Sequence, residues 1–219
     1  MSFQKSKKMN EKTSSTKNIF KYLREISVVV IGVAITLSAS YWITHKNEKR
    51  DLKLYLSAVQ LEIYGNKGMI EDRLEILQNS LNYAAYLKSH DKKSLNKDSI
   101  KSYYPEREYY NFSSFAYKKD AFEMFKISGS MRLIKDKYLL ADLWNIYSDL
   151  EELKYGIGLM LQSKAETVKR EIYMSKEADF IPLYDYYTKN DVTSIIWQSY
   201  TKQQEMLEKM LERLEKFNK

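Results

Sequence analysis

Few residues in this chain have the types and spacing that chemistry needs. There is no cysteine, which removes disulfides, thiol nucleophiles and thiolate metal sites. The two histidines are His45 and His90. The only carboxylate three or four residues from either is Glu48, which falls at a solvent-facing position, so a helical His–carboxylate metal pair has no support. Gly156-Ile157-Gly158 is the nearest approach to a phosphate-cradling loop, but it lies inside a helical periodicity and not at a strand-to-helix turn. A Ser–His–Asp set needs its histidine in a rigid pocket, and neither histidine is predicted in one. Asp149, Glu151 and Glu152 read as a solvated helix face. No catalytic, cofactor-binding or metal-ligating residue is assigned, no cofactor is expected, and the chain is not expected to be an enzyme.

The net charge of +7 first suggests a nucleic-acid partner. Its distribution argues otherwise. Residues 1–25 hold seven Lys/Arg against two Glu, and residues 26–45 hold no Lys, Arg, Asp or Glu. The remainder carries 29 basic and 27 acidic residues, too even a balance for a phosphate-backbone binder. No nucleic-acid partner is expected.

The uncharged segment is the strongest signal. Ile26 to Ile43 contains nine Ile, Val or Leu residues in 18. As a helix it rises about 27 Å, close to the hydrocarbon thickness of a bilayer. Those nine side chains favour insertion by roughly 3 to 5 kcal/mol in sum, before the Ser, Thr and Gly residues oppose it. Tyr41 and Trp42 stand at its outer end, where amphipathic rings anchor at the headgroup level. Two alternatives compete: a buried core segment, and a signal peptide cleaved after Ser38-Ala39-Ser40. The 25-residue leader is long for a signal peptide, and a core segment needs other apolar layers to cover it. A single transmembrane helix over 26–43 is therefore the preferred reading, with the lipid bilayer as the first partner.

Flanking charge sets an orientation. Residues 6–25 carry six Lys/Arg and residues 44–63 carry four, which places the N-terminus in the cytoplasm. The expected location is the bacterial cytoplasmic (inner) membrane, single-pass, with the C-terminal domain outside the cytoplasm. Within the span Gly32, Thr36 and Ser40 recur every four residues and form a small-residue stripe on which a second helix can pack. Residues 1–25 form a basic cytoplasmic tail, expected to be largely disordered because it has little to bury.

Residues 46–219 read as a helical domain, with only Pro105 and Pro182 as prolines. Four helices are predicted, over about 46–89, 115–128, 136–177 and 191–218. The first carries Leu52, Tyr55, Val59, Ile63, Ile70, Leu74, Leu77, Leu81 and Ala85 on one face. Gly65 and Gly68 are candidate kink points in it. The second places Phe122, Met124 and Phe125 inward and ends at Ser128-Gly129, with Gly129 suited to a left-handed conformation. Asp136 is placed to cap the third, whose stripe runs Leu139, Leu143, Ile146, Leu150, Leu153, Ile157, Leu161, Val168 and Ile172. The last carries Ile196, Tyr200, Leu207, Met210, Leu214 and Phe217. Residues 90–114 read as a loop whose Tyr103, Tyr104, Tyr109, Tyr110 and Phe112 either dock it on the bundle or present a binding surface. A second break runs from Asp179 to Asn190. The fold class expected is all-α: an N-terminal transmembrane helix continuing into an elongated antiparallel helical bundle.

Two stretches carry a resemblance. One is Glu25-Ile-Ser-Val-Val-Val-Ile-Gly-Val33, followed by Leu37, Trp42 and Asn47-Glu48-Lys49-Arg50; the other is Ala121 to Ile134 around Ser128-Gly129, with Asp136, Leu139 and Tyr147. Together they resemble an uncharacterised bacterial family of single-span membrane proteins with a helical extracytoplasmic domain. Here Trp42 and Asn47-Glu48 are separated by four residues, where the family brings them together. The resemblance implies a membrane-anchored helical domain of unknown function and transfers no catalytic residue. Anchor, bundle and missing catalytic set favour an envelope interaction or scaffold module, acting as a homodimer or on an envelope protein partner. The alternative is an extracytoplasmic ligand-sensing or regulatory domain.

Overall fold

The computed structural model describes residues 3–104, 114–174, 181, 183–189 and 192–218; for residues 3–20, 97, 99, 172–174 and 218 the description stops at the backbone. Among them the protein is all-α, with six helices: α1 (Phe3–Ser89), α2 (Lys97–Tyr103), α3 (Asp120–Ile127), α4 (Lys137–Met174), α5 (Tyr184–Lys189) and α6 (Thr193–Asn218). Short 3₁₀ turns lie at Lys92–Ser94 and Ser130–Leu133. The chain divides into two compact units, Met1–Asp51 and Leu52–Lys219.

In the first unit α1 begins at Phe3, inside the tail for which the sequence predicts disorder. Extending a helix outward from an apolar segment is much easier than nucleating one, and residues 3–25 contain no Gly or Pro to stop it. α1 is also unbroken at Gly65 and Gly68.

In the second unit three helices share a core. Leu56, Val59, Ile63, Ile70 and Leu77 of α1 pack with Leu143, Ile146, Leu150 and Leu153 of α4 and with Tyr200, Leu207, Met210 and Leu214 of α6. Polar contacts give the directions. Glu62 meets Tyr147, and further along Arg73 and Leu77 line one cavity with Ile157 and Lys164, so α1 and α4 run parallel. Lys67 pairs with Glu208, Gln204 with Glu71, and Arg213 with Asp136 and Asp142, so α6 runs antiparallel to both. The connection between α1 and α4 makes this possible. Tyr104 hydrogen-bonds the Asn82 carbonyl at 3.4 Å, and Lys118 lies beside Asn66, so the chain has returned along α1 before α4 starts.

Four differences from the sequence reading have physical causes. The helix expected over 115–128 starts at Asp120; residues 114–119 lie outside any helix, with Phe115 buried. Met124 points outward at 62% exposure, since it lies off the Phe122–Phe125 stripe. At the end of α1 the buried residues are Tyr83, Ala84 and Leu87; Ala85 is exposed and Leu81 half-buried. There α1 faces a second cluster formed by Ile100 of α2 with Ile181, Leu183, Tyr186 and Tyr187, which sits around a different side of the helix. Finally, both expected loops contain short helices, α2 and α5. Tyr109, Tyr110, Phe112, Pro105, Pro182, Asp191 and the helix end predicted at 177 lie outside the described residues.

The caps follow the sequence chemistry. The Asp136 carboxylate accepts the Tyr138 and Leu139 amides at 2.9 and 3.0 Å, filling two of the donors that a helix start leaves unpaired. Gly129 has φ 70° and ψ 1°, a conformation strained for any residue with a Cβ. Ser128 closes that turn, donating to the Phe125 carbonyl at 2.8 Å and accepting from the Ser130 amide at 3.1 Å.

Candidate functional site

The buried polar groups of the second unit show which of its surfaces are fixed. Glu62, 8% exposed, accepts from the amides of Ala121 and Phe122 at 2.8 and 3.2 Å and from the Tyr147 hydroxyl at 2.6 Å. One carboxylate on α1 thus caps α3 and ties it to α4. Burial first, then the Glu62 hydrogen bond and charge, hold the Tyr147 hydroxyl well above its ordinary range, so it stays a donor. Asn66, fully buried, pairs both ways with Lys118: its amide nitrogen donates to that carbonyl and its oxygen accepts that amide, each at 2.8 Å. Phe122 stacks on Tyr147 with ring centroids 4.1 Å apart. This arrangement locks α1 to its neighbours and leaves no free nucleophile.

Further along, α1, α4, α5 and α6 line a half-open pocket of about 40 Å³ bordered by Arg73, Ser80, Lys164, Tyr187, Thr193 and Tyr200. That is room for a few waters and far less than a metabolite needs. Lys164 is 4% exposed, with its ammonium 5.7 Å from the Tyr187 ring centre. Burial pushes its pKa down to about 8. Glu171, 8% exposed, accepts the Leu183 amide at 2.8 Å, and burial raises its carboxyl. That bond fixes Leu183 at φ 55°, a left-handed position taken here by a non-glycine residue. Sequence reasoning missed both charged residues. They fall in phase with Ile157, Leu161 and Val168 on the apolar stripe of α4, but a charge at such a position normally argues against burial.

His90 sits on the surface, its Nδ1 at 2.9 Å from the Tyr86 carbonyl and 3.0 Å from the Ser89 hydroxyl. Tyr104 rests against Tyr83 and Tyr86, ring centroids 5.2 and 5.5 Å away, so this part of the aromatic stretch docks on α1. Glu151 accepts from the Tyr117 hydroxyl and lies near Lys119 and Lys154, so it is a partnered surface group. Among the described residues no set of three His, Cys, Asp or Glu side chains could hold a metal ion.

Two exposed apolar stretches lie along α1. In the first unit, the nine Ile, Val and Leu side chains of 26–43 are each 53–65% exposed, on every side of the helix, and no part of the segment is buried. It is the one helix segment among the described residues long and apolar enough to cross a membrane. Gly32, Thr36 and Ser40 lie along it, all exposed. The Thr36 hydroxyl donates to the Gly32 carbonyl at 2.9 Å, so that proton is spent within the helix and only lone pairs face outward. Tyr41 stacks on His45 at 6.0 Å, and Lys46 lies 5.4 Å over the Trp42 ring.

In the second unit, α1 carries an apolar stripe of exposed Leu54, Ala58 and Leu61 followed by half-buried Gly65 and Gly68, spaced four, three, four and three residues apart. Leu54 is 67% exposed, Leu61 75% and the adjacent Tyr64 69%. A Cβ built on either glycine would meet nothing within 4 Å. Such spacing is that of a seam for another helix.

Compared with protein-family models, with curated proteins and with solved structures, the chain matches none.

Proposed function

We propose that this protein is a single-pass membrane-anchored interaction module, held by Ile26–Ile43 and presenting a helical domain to a partner helix. The observation that carries the reading is the exposure of every aliphatic side chain in 26–43: a helix apolar all round has a membrane as its compatible solvent. The Lys/Arg excess before the span supports an N-terminus in the cytoplasm and a domain outside it. The resemblance to the single-span envelope family agrees with this arrangement and supplies no activity of its own.

The interaction half of the reading rests on the Leu54–Leu61 stripe. Two exposed leucines at heptad spacing are a narrow seam, too small to hold a free complex. Tethering in one membrane raises the effective concentration of partners, which makes a narrow seam sufficient. The test is photo-crosslinking in intact membranes from position 54 or 61, with position 205 on the outward face of α6 as the control. Adducts from 54 and 61 and none from 205 are expected. Monomer alone from all three positions would remove the interaction reading, and recovery of the protein in the soluble fraction would remove the anchor.

A further inference from the structure

The pocket lined by α1, α4, α5 and α6 carries charge of one sign. Arg73 of α1 and Lys164 of α4 border it, and among the described residues no Asp or Glu does. Arg73 keeps its charge at any working pH. It is half-buried and forms no ion pair among the described residues. Its charge acts instead on the Tyr200 hydroxyl, which lines the same pocket from α6. Lys164 is buried as well, so a second positive charge stands where little water reaches it.

Two hydroxyls give a second, independent observation. Tyr200 is 1% exposed and Ser80 5%, and both line the pocket. Neither side chain makes a hydrogen bond among the described residues, although a buried hydroxyl ordinarily has a partner. Burial, opposed by the Arg73 charge, holds the Tyr200 hydroxyl well above its ordinary range, so it keeps its proton and serves as a donor. Two cations and two O–H donors without acceptors thus share one small space. Water there would engage the hydroxyls and leave both charges without a counter-ion. An anion engages the donors and compensates the charge together. Size narrows the choice: about 40 Å³ holds a halide with a water or two, and has no room for the body of a phosphate ester or a carboxylate metabolite.

We propose that this pocket binds a single chloride ion, seated against the Arg73 guanidinium and the Tyr200 and Ser80 hydroxyls, with the Lys164 ammonium as the second charge. For a monovalent ion in a half-open pocket the dissociation constant should be on the order of 10 mM. The probe is chloride itself, followed by the width of its magnetic-resonance line with the full chain in non-ionic detergent. Sodium gluconate, too large for the pocket, keeps the ionic strength constant. Protein-induced broadening that saturates with chloride is expected, and bromide, of similar size, should displace it. Tyr200→Phe keeps the ring and removes only the hydroxyl, and should weaken binding about fivefold. Arg73→Gln should abolish the saturable part. Lys216→Gln removes an equal charge from the exposed face of α6 and should leave the saturable part unchanged, which controls for chloride gathered by the net charge of +7. Broadening that is absent or never saturates, as a pocket filled by water alone would give, overturns the proposal. So do equal losses in Arg73→Gln and Lys216→Gln, or full affinity in Tyr200→Phe; that last variant decides the matter if Arg73→Gln does not fold.

Discussion

Replacing Glu62 by Ala tests the polar lock. The substitution strips the acceptor from three donors at once: the amides of Ala121 and Phe122 and the hydroxyl of Tyr147. Each donor left buried without a partner costs about 1–3 kcal/mol, while removing the buried carboxylate recovers its own desolvation. The net loss should be about 3–5 kcal/mol, a large share of a domain's whole stability. Glu62→Gln keeps one acceptor oxygen but turns an NH₂ toward donors, so about 1–2 kcal/mol is expected. Tyr147→Phe removes one donor and should cost about 1 kcal/mol. The assay is urea unfolding of the full chain in detergent, followed by Trp144 fluorescence with Trp42 and Trp197 replaced by Phe. Trp144 meets Phe122 edge-on at 5.4 Å and so reports the docking of α3. Glu62→Ala and Tyr147→Phe should couple by roughly 1 kcal/mol in a double-mutant cycle. A Glu62→Ala loss under about 0.5 kcal/mol, or strict additivity with Tyr147→Phe, would refute the claim that this carboxylate holds the three elements together.

Three further outcomes are expected. Gly68→Ala should stabilise by about 0.5–1 kcal/mol, because it sits mid-helix with open space, whereas Gly129→Ala at φ 70° should destabilise by about 1 kcal/mol; opposite shifts in the urea midpoint check both. The Leu139 amide, with the Tyr138 amide and Arg213, holds the Asp136 carboxyl below its ordinary value of 3.8. Its contribution is therefore complete above that pH and lost as pH falls further, so Asp136→Asn, which still caps, should flatten the acid limb of a Tm–pH profile below about pH 4. Lys164 has the reverse linkage: with its pKa at about 8 when folded against 10.5 in the unfolded chain, the unfolded state binds more protons in between, so stability rises from pH 8 to 10.5. Lys164→Met should remove that rise and add roughly 1–3 kcal/mol at pH 7, and a flat wild-type profile over that range would contradict the assignment.

The long elements were legible in the sequence because period 3.6 needs several turns to declare itself. Leu139 through Ile157 supply that in α4, as do Leu207, Met210 and Leu214 in α6. Helices α2 and α5 have seven and six residues, under two turns each, where no period can be resolved. They exist because Ile100, Tyr186 and Tyr187 bury themselves against Tyr83 and Leu87, a tertiary cause. The same cluster accounts for the misplaced Leu81 and Ala85, since a stripe extrapolated from Leu77 assumes that the helix keeps one set of neighbours. Glu62, Asn66, Lys164 and Glu171 were illegible for a different reason. A charged or amide residue at a core phase normally argues against burial, and only partners distant in sequence, such as Lys118 at Asn66 or Leu183 at Glu171, make burial affordable.

Those partners also explain why the Leu54–Leu61 stripe is a surface of its own. Around α1 the core side is taken by α4 and α6. One flank is closed by Glu62 and Asn66 against residues 118–122, the other by Lys67 and Glu71 against Glu208 and Gln204. What remains is a narrow outward arc. If solubility alone shaped it, that arc would resemble the outward face of α6, where Lys202, Glu205, Lys209, Glu212 and Lys216 are all exposed and charged. Instead it carries Leu54, Ala58, Leu61, Gly65 and Gly68, with no charge at any of the five. Two helices of one domain, facing water over similar lengths, thus differ in what they show it. Leucines more than two-thirds exposed beside glycines that lower helix propensity are costs without return in an isolated monomer. Covering the arc with another helix turns both costs into contact, the leucines as knobs and the glycines as points of close approach.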